Sequence, residues 1–169
     1  MAAGGELAGL RVMVIDDSKT IRRTAETLLK REGCEVVTAT DGFEALAKIA
    51  DQQPQIIFVD IMMPRLDGYQ TCALIKRNQL FKSTPVIMLS SKDGLFDKAR
   101  GRIVGSEQYV TKPFTREELL DALELAHLRL VDQREDDRED VDEVEEQLER
   151  GRRATDLLGV ARLHPQQPE

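Results

Sequence analysis

The sequence has no tryptophan, two tyrosines and two cysteines in 169 residues. Two cysteines in a chain this long make no disulfide framework, and Cys34 and Cys72 have no metal-ligand spacing. They read as buried, reduced thiols of a cytoplasmic protein. No run approaches the roughly 18 apolar residues of a membrane span. The opening MAAGGELAG lacks the basic region and long apolar stretch of a secretory leader. Membrane insertion is therefore not expected. No basic patch is large enough to suggest nucleic acid as a partner.

What is present divides in two. The hydrophobic share of 41% is enough for a real core. Residues 131–169 hold 13 acidic and 6 basic side chains, a net of −7, which is the net charge of the whole chain. Residues 1–130 balance at 18 of each sign. The shift sets a boundary near Val131. The expected organisation is a flexible lead over 1–9, one domain over 10–130 and an acidic, charged tail over 131–169, partly helical or disordered.

Within 10–130, short apolar runs alternate with segments of helical spacing. The runs are Leu10–Ile15, Glu35–Ala39, Ile56–Val59, Pro85–Leu89 and Gln108–Val110. Ile21, Ala25, Leu28 and Leu29 form one helical stripe, and Leu119, Leu120, Leu123 and Ala126 another. Gly33 stands where a helix would end in a left-handed cap. Asp41-Gly42 reads as a turn pair, Pro54 closes the second helix, and Thr115 with Glu118 reads as a capping box. Alternating runs of this kind predict βαβ units around a parallel sheet. Five of each over roughly 120 residues is the size of a flavodoxin-like, doubly wound α/β domain of strand order 2-1-3-4-5, with ligands at the carboxyl ends of the strands.

Those ends carry the chemistry. The first strand runs into Asp16-Asp17, the third into Asp60, the fourth into Ser90-Ser91 and the fifth into Thr111-Lys112-Pro113. One edge would gather three carboxylates, a hydroxyl and an ammonium. Clustered carboxylates repel and tend to hold protons. A hard cation such as Mg²⁺, which takes oxygen ligands and sits beside phosphate, relieves this. Asp17 and Asp60 look like direct ligands, with Asp16 acting directly or through water and the backbone carbonyl of Met62 as a further oxygen. Phosphoryl transfer needs positioning and charge stabilisation at the equatorial oxygens. Lys112 and Ser90 can each take one of those oxygens, and Asp60, central among the strands, is the natural nucleophile. Taken singly, Asp17 or Ser18 could be a helix cap, Lys112 a surface lysine and Ser90 a turn residue; the joint pattern is what points to this chemistry.

The motifs VMVIDDSKTIRR, FVDIMMPRLDGYQ, TPVIMLSS and YVTKPFTREELL resemble those of CheY-like receiver domains of two-component response regulators. The resemblance covers roughly Leu10–Leu130. The stretches TIRRTAETLLK, DGFEALAKIAD, DGYQTCALIK and SSKDGLFDKARGRIVGSEQY extend it to the branch that serves type IV pilus twitching motility. The family implies phosphorylation of Asp60 by a histidine kinase of a chemotaxis-like pathway, Mg²⁺ on Asp16 and Asp17, and Lys112 on the phosphoryl oxygens. It further implies Ser90 as the switch hydroxyl, Tyr109 as the switch aromatic and a cis Lys112-Pro113 bond. The chain departs from chemotaxis regulators at Met62, Ser91 and Lys92, which flank the phosphoryl group and bear on its lifetime.

Closure of Ser90 on the phosphate, with Tyr109 filling the space it leaves, would remodel the face of the fourth helix, fifth strand and fifth helix. Gly101 inside the fourth helix weakens it by about 1 kcal/mol relative to Ala, or merely permits close packing. With no output domain after Leu130, signalling is expected by contact, with a pilus motor component or adaptor as the target. The protein is expected to be a phosphoacceptor rather than an enzyme, beyond Mg²⁺-dependent self-phosphorylation and autodephosphorylation. Apolar positions in the tail, Val141, Val144 and Leu148 and then Leu157, Leu158 and Ala161, have helical spacing.

Three alternatives carry their own signatures. A haloacid dehalogenase would place an Asp-x-Asp pair after the first strand and carry a cap domain. A flavodoxin would need a hydroxyl- and glycine-rich phosphate loop where Asp16-Asp17-Ser18-Lys19 stands. A static scaffold would have no need of Asp16, Asp17, Asp60, Ser90 and Lys112 together. A DNA-binding output is disfavoured because the remainder is short and acidic, and acidic charge opposes phosphate backbones.

Overall fold

The structure is a computed structural model describing residues 6–91, 98–106 and 108–157. The chain divides into two compact units, residues 1–130 and 131–169. The first contains strands β1 (Arg11–Ile15), β2 (Glu35–Ala39), β3 (Ile56–Asp60), β4 (Val86–Ser91) and β5 (Gln108–Lys112). Between them lie helices α1 (Lys19–Arg31), α2 (Gly42–Gln52), α3 (Gly68–Arg77) and α4 (Lys98–Val104); α5 (Arg116–Leu157) follows. All strand pairs are parallel and the order is β2-β1-β3-β4-β5. This is the doubly wound arrangement that the alternation of runs and stripes predicts.

The central strands β1, β3 and β4 are apolar between their ends because helices cover both faces of the sheet. Side chains alternate between two cores. On one face Val12, Val14, Ile56, Phe58, Ile87 and Leu89 meet the α1 and α5 stripes, where Ala25, Leu29, Leu119, Leu123 and Ala126 are buried. On the other, Met13, Ile15, Ile57, Val59, Val86 and Met88 meet Ala45 and Ile49 of α2 and Cys72 and Ile75 of α3. Cys34 and Cys72 are both buried free thiols, and burial pushes each to about 11.

Local signals set the helix ends. Ser18 caps α1 by accepting the Ile21 amide at 3.3 Å. The helix closes in a Schellman turn: Gly33, at φ +86°, donates to Lys30 O at 3.0 Å, and Cys34 donates to Leu29 O at 3.2 Å. Asp41-Gly42 is not a turn. Asp41 is the N-cap of α2, accepting Glu44 N at 2.7 Å, and Gly42 is the helix's first residue. Gly42 is there for space, since a β-carbon would collide with Thr71 Oγ1 and the Leu66 side chain. The left-handed Gln53, at φ +44°, ends α2 just before Pro54. A capping box stands at α3, where Asp67 accepts Gln70 N at 2.8 Å and Gln70 Oε1 accepts Asp67 N at 3.1 Å. At α5 the described contacts contain only the Thr115 half of the predicted box, with Glu118 N donating to Thr115 Oγ1 at 3.1 Å.

Two further differences from the sequence reading stand out. Leu7, read as part of a flexible lead, is buried, and its carbonyl accepts from Cys34 Sγ at 3.6 Å. Strand β5, read as ending at Val110, runs on through Thr111 and Lys112, because a polar residue at a strand end keeps its ladder partners, whereas β3 and β4 end in Asp60 and Ser90-Ser91 as expected. In the second unit, residues 131–157 are helical and exposed, including Val141, Val144 and Leu148. Leu158, Ala161, Lys92 and the two prolines near the C-terminus lie outside the described residues. Among the described residues, no helix is long and apolar enough to cross a membrane.

Truncating a fully buried side chain costs the lost burial plus the cavity left behind. Leu123→Ala is therefore expected to cost about 2–5 kcal/mol in a urea titration. Leu148→Ala, on the exposed helix, should shift the midpoint by less than about 0.5 kcal/mol.

Candidate functional site

Three strand ends meet in one pocket. Asp16 follows β1, Asp60 closes β3 and Lys112 closes β5. The ladders keep these ends level, pairing Ile15 with Val59, Asp60 with Leu89 and Ser91 with Lys112. Asp16 is fully buried and Asp60 is 2% exposed, while Asp17 is exposed. One carboxylate oxygen from each of Asp16, Asp17 and Asp60 lies within 4.8 Å of the others.

Lys112 ties the pocket together. Its Nζ donates to Asp16 Oδ2 and to Asp60 Oδ1, each at 3.0 Å. The Lys112-Pro113 peptide is cis. Backbone groups add further donors: Ser18 N donates to Asp16 Oδ1 at 2.8 Å and Met62 N to Asp60 Oδ1 at 3.3 Å. Burial pushes the Asp16 carboxyl above its ordinary value, against the Ser18 amide and the Lys112 charge. Burial, reinforced by the negative charge of Asp16, pushes Asp60 up to about 7, with Lys112 opposing. Burial also works against the Lys112 ammonium, but its hydrogen bond to Asp60 and the charge of Asp16 outweigh that and hold it above the usual lysine value. The pocket thus pairs two carboxylates that resist ionisation with one cation that cannot neutralise both.

Three clustered carboxylates form an oxygen-only donor set, the kind a hard divalent cation takes. The raised Asp16 and Asp60 are the sign that another positive charge would be welcome there. The residues present therefore fit a metal ion, and Asp16, Asp17 and Asp60 are the ones able to hold it.

The remaining candidates sit on β4, β5, α4 and the segment after β3. Ser90 is buried near the end of β4, its Oγ donating to Ser91 O at 3.3 Å. The β4–β5 register places Tyr109 beside Met88 and Thr111 beside Ser90. Strand alternation then puts Ser90 and Tyr109 on the same face. Tyr109 is 43% exposed and Met62 68% exposed. Gly101 is buried within α4.

Two supports were not singled out from sequence. Arg22 Nη1 donates to Asp16 O at 2.7 Å, fixing the backbone where β1 runs into α1. Gly68 opens α3 directly against the phosphoacceptor candidate: a β-carbon there would collide with Asp60 O and lie 2.7 Å from Ile61 Cα. The Asp67-Gly68 pair was the available signal for Gly68. Nothing local in sequence marks Arg22, because its partner is a backbone carbonyl.

The fold and the pocket define a doubly wound domain whose chemistry sits at the carboxyl ends of its strands. Residues 12–124 match the model of the response regulator receiver domain, and the chain belongs to that family. It is similar to the protein PilG of Pseudomonas aeruginosa, with 81% identity over 120 residues covering 71% of this chain and 88% of PilG. It is also similar to the alkaline phosphatase synthesis transcriptional regulatory protein PhoP of Bacillus subtilis, at 38% identity over 64% of this chain and 45% of that protein. The chain therefore spans a little under half of PhoP. Among solved structures it resembles the Vibrio cholerae chemotaxis protein CheY4, at TM-score 0.67 and 34% identity, covering 70% of this chain and 99% of CheY4.

A carboxyl raised to about 7 favours folding at low pH, and that contribution is lost as pH rises from about 4 through about 7. In metal-free buffer, Asp60→Asn is expected to gain stability over the parent as pH rises through this window. The gain should reach on the order of 3 kcal/mol by pH 8 and disappear near pH 4. Thermal melts from pH 4 to 8 check it. Divalent metal should raise the parent's melting temperature at pH 8 and leave the variant's nearly unchanged.

Proposed function

We propose that this chain is a response regulator receiver, phosphorylated on Asp60 by a histidine kinase, that signals by binding a partner. The observation that carries the reading is the placement of Asp60: buried at the end of the central strand β3, grouped with Asp16 and Asp17, and hydrogen-bonded to Lys112. Phosphorylation by a kinase is the general mechanism of receiver domains.

Asp60 supplies the nucleophilic oxygen. Mg²⁺, held by Asp16, Asp17, Asp60 and the Met62 carbonyl, would when bound stabilise negative charge on the phosphoryl oxygens. Lys112 already faces the reacting carboxylate and takes a second phosphoryl oxygen as a point charge. Ser90 takes a third and acts as the switch hydroxyl. Its shared face with Tyr109 supports the coupling: as Ser90 closes, Tyr109, now 43% exposed, turns inward and remodels the face of α4, β5 and α5. Exposed Met62 beside Asp60 leaves room for hydrolytic water and sets the phosphate lifetime.

The 81% identity to PilG supports a place in a chemotaxis-like relay controlling type IV pilus twitching motility, with a pilus motor component or adaptor as the contact. The protein acts in the cytoplasm as a phosphoacceptor whose only chemistry is its own phosphorylation and dephosphorylation. It uses no nucleic-acid contact.

Incubation with acetyl phosphate and Mg²⁺, followed by intact-mass measurement, tests the reading. A labile phosphate-sized gain is expected for the parent and not for Asp60→Ala or with EDTA. Lys112→Ala should cut the rate at least about 100-fold, as loss of one charge-stabilising group does. Failure of the parent with both acetyl phosphate and a histidine-kinase donor would favour a static scaffold. Separately, Tyr109→Ala is expected to remain phosphorylatable yet lose phosphorylation-dependent partner binding; normal binding would sink the switch assignment.

A further inference from the structure

We propose that the helix beyond the receiver domain is a self-association element, in which the segment 139–155 of one chain pairs antiparallel with the same segment of a second copy. The juxtaposition that carries it is an exposed apolar stripe flanked by charge of opposite sign at its two ends.

The family match ends at residue 124, and the resemblance to CheY4 uses 99% of that protein but only 70% of this one. The residues beyond the domain are thus additional to the receiver architecture. They are nonetheless helical through Leu157. Within this helix Val141, Val144 and Leu148 follow the three-four spacing of a coiled-coil seam, and each is 56–57% exposed. Gly151 continues the seam one step on, and an added β-carbon there would meet nothing within 4 Å.

Charge fixes the direction of pairing. Residues 132–142 carry seven acidic and two basic side chains, a net of −5. Residues 150–157 carry three arginines and one aspartate, a net of +2. A parallel pair would set the acidic ends side by side and place Asp140 against Glu145. An antiparallel pair sets each acidic end against the other copy's arginines. With Val144 of one chain packed on Leu148 of the other, Val141 faces the small Gly151, so bulk meets a gap. The flanking positions then bring Glu145 opposite Arg152, and the two-fold axis makes that contact twice. Glu145 and Arg152 line the surface beside Leu148 together with Glu149 and Arg153. Arg150 and Arg153 are held within one helix by Glu146 and Glu149, at 2.9 Å for the second pair, whereas Arg152 enters no such ion pair among the described residues. The seam is short, so the association is weak and fitted to high local concentration.

Sedimentation equilibrium of the full chain at low salt, from about 10 µM to about 1 mM, a range spanning the affinities of weak complexes, tests the proposal. The weight-average mass is expected to rise from that of one chain towards that of two. Leu148→Asp should hold it at one. Glu145→Arg and Arg152→Glu should each weaken dimerisation by about tenfold, as two attractive contacts become repulsive. The two variants mixed should recover a dimer, because both flanking contacts of the mixed pair then join opposite charges again. Circular dichroism confirms that each variant keeps its helix. A parent that stays monomeric throughout overturns the proposal, as does a dimer indifferent to Leu148→Asp or a variant mixture that fails to recover.

Discussion

The ammonium of Lys112, shared between Asp16 and Asp60, is the contact on which the rest of the receiver site depends. Each carboxylate is almost wholly removed from water, and each would be a heavy cost if left alone. One cation at 3.0 Å from both makes the pair tolerable but leaves the site one positive charge short. That deficit shows in Asp60, which holds its proton to about 7. A pocket balanced this way responds strongly to any added charge. A divalent ion would supply what is missing, and under the proposed function a phosphoryl group would then add negative charge for the same lysine to meet. The site's sensitivity is a consequence of incomplete compensation, and a fully neutralised pocket would have no reason to rearrange.

The fold makes such a pocket possible at a small number of positions. Both faces of β1, β3 and β4 are covered, so polar side chains can enter only where these strands end. The parallel arrangement sends all five carboxyl ends to one edge, which concentrates the exceptions there. Backbone donors complete them: the Ser18 and Met62 amides each serve a buried carboxylate. Gly68 lets the start of α3 lie against Asp60, so the backbone of Asp60 is held by packing as well as by the ladder. Every described buried side-chain polar atom has a partner, which is how a sheet this apolar tolerates two carboxylates in its middle.

The alternation of Val- and Ile-rich runs with helical stripes was enough to read a parallel sheet covered on both faces, because Val12 and Met13, or Phe58 and Val59, have no solvent-facing alternative there, while its strand order came with the doubly wound fold class. Asp16, Asp17, Asp60 and Lys112 were legible as a group because each follows an apolar run and the topology brings those ends together. What escaped the reading depends on contacts between distant segments. Gly42 looked like a turn residue, since an Asp-Gly pair has the same composition whether it opens a helix or reverses the chain; only Thr71 and Leu66 across the gap decide it. Leu7 looked free because its burial depends on the turn after α1, whose Gly33 carbonyl accepts from Gly9 N at 2.8 Å. Arg22 could not be seen because backbone carbonyls leave no trace in a sequence.

Charge separates the two parts of the chain as cleanly as packing does. Residues 1–130 carry 18 charges of each sign, so the field in the carboxylate pocket comes from its own three carboxylates and Lys112 rather than from the domain's net charge. The whole net −7 lies in residues 131–169. At physiological ionic strength the screening length is about 8 Å, so each of these charges acts mainly on its near neighbours. Under the proposed function a phosphoryl group on Asp60 adds its charge to the first unit. The exposed stripe of Val141, Val144 and Leu148 is the surface suited to the proposed self-association. Under the proposed function the α4–β5–α5 face is the surface for an interaction that switches. A regulator built this way can keep one interaction constant while it modulates another, and the division follows from where the sequence places its charge.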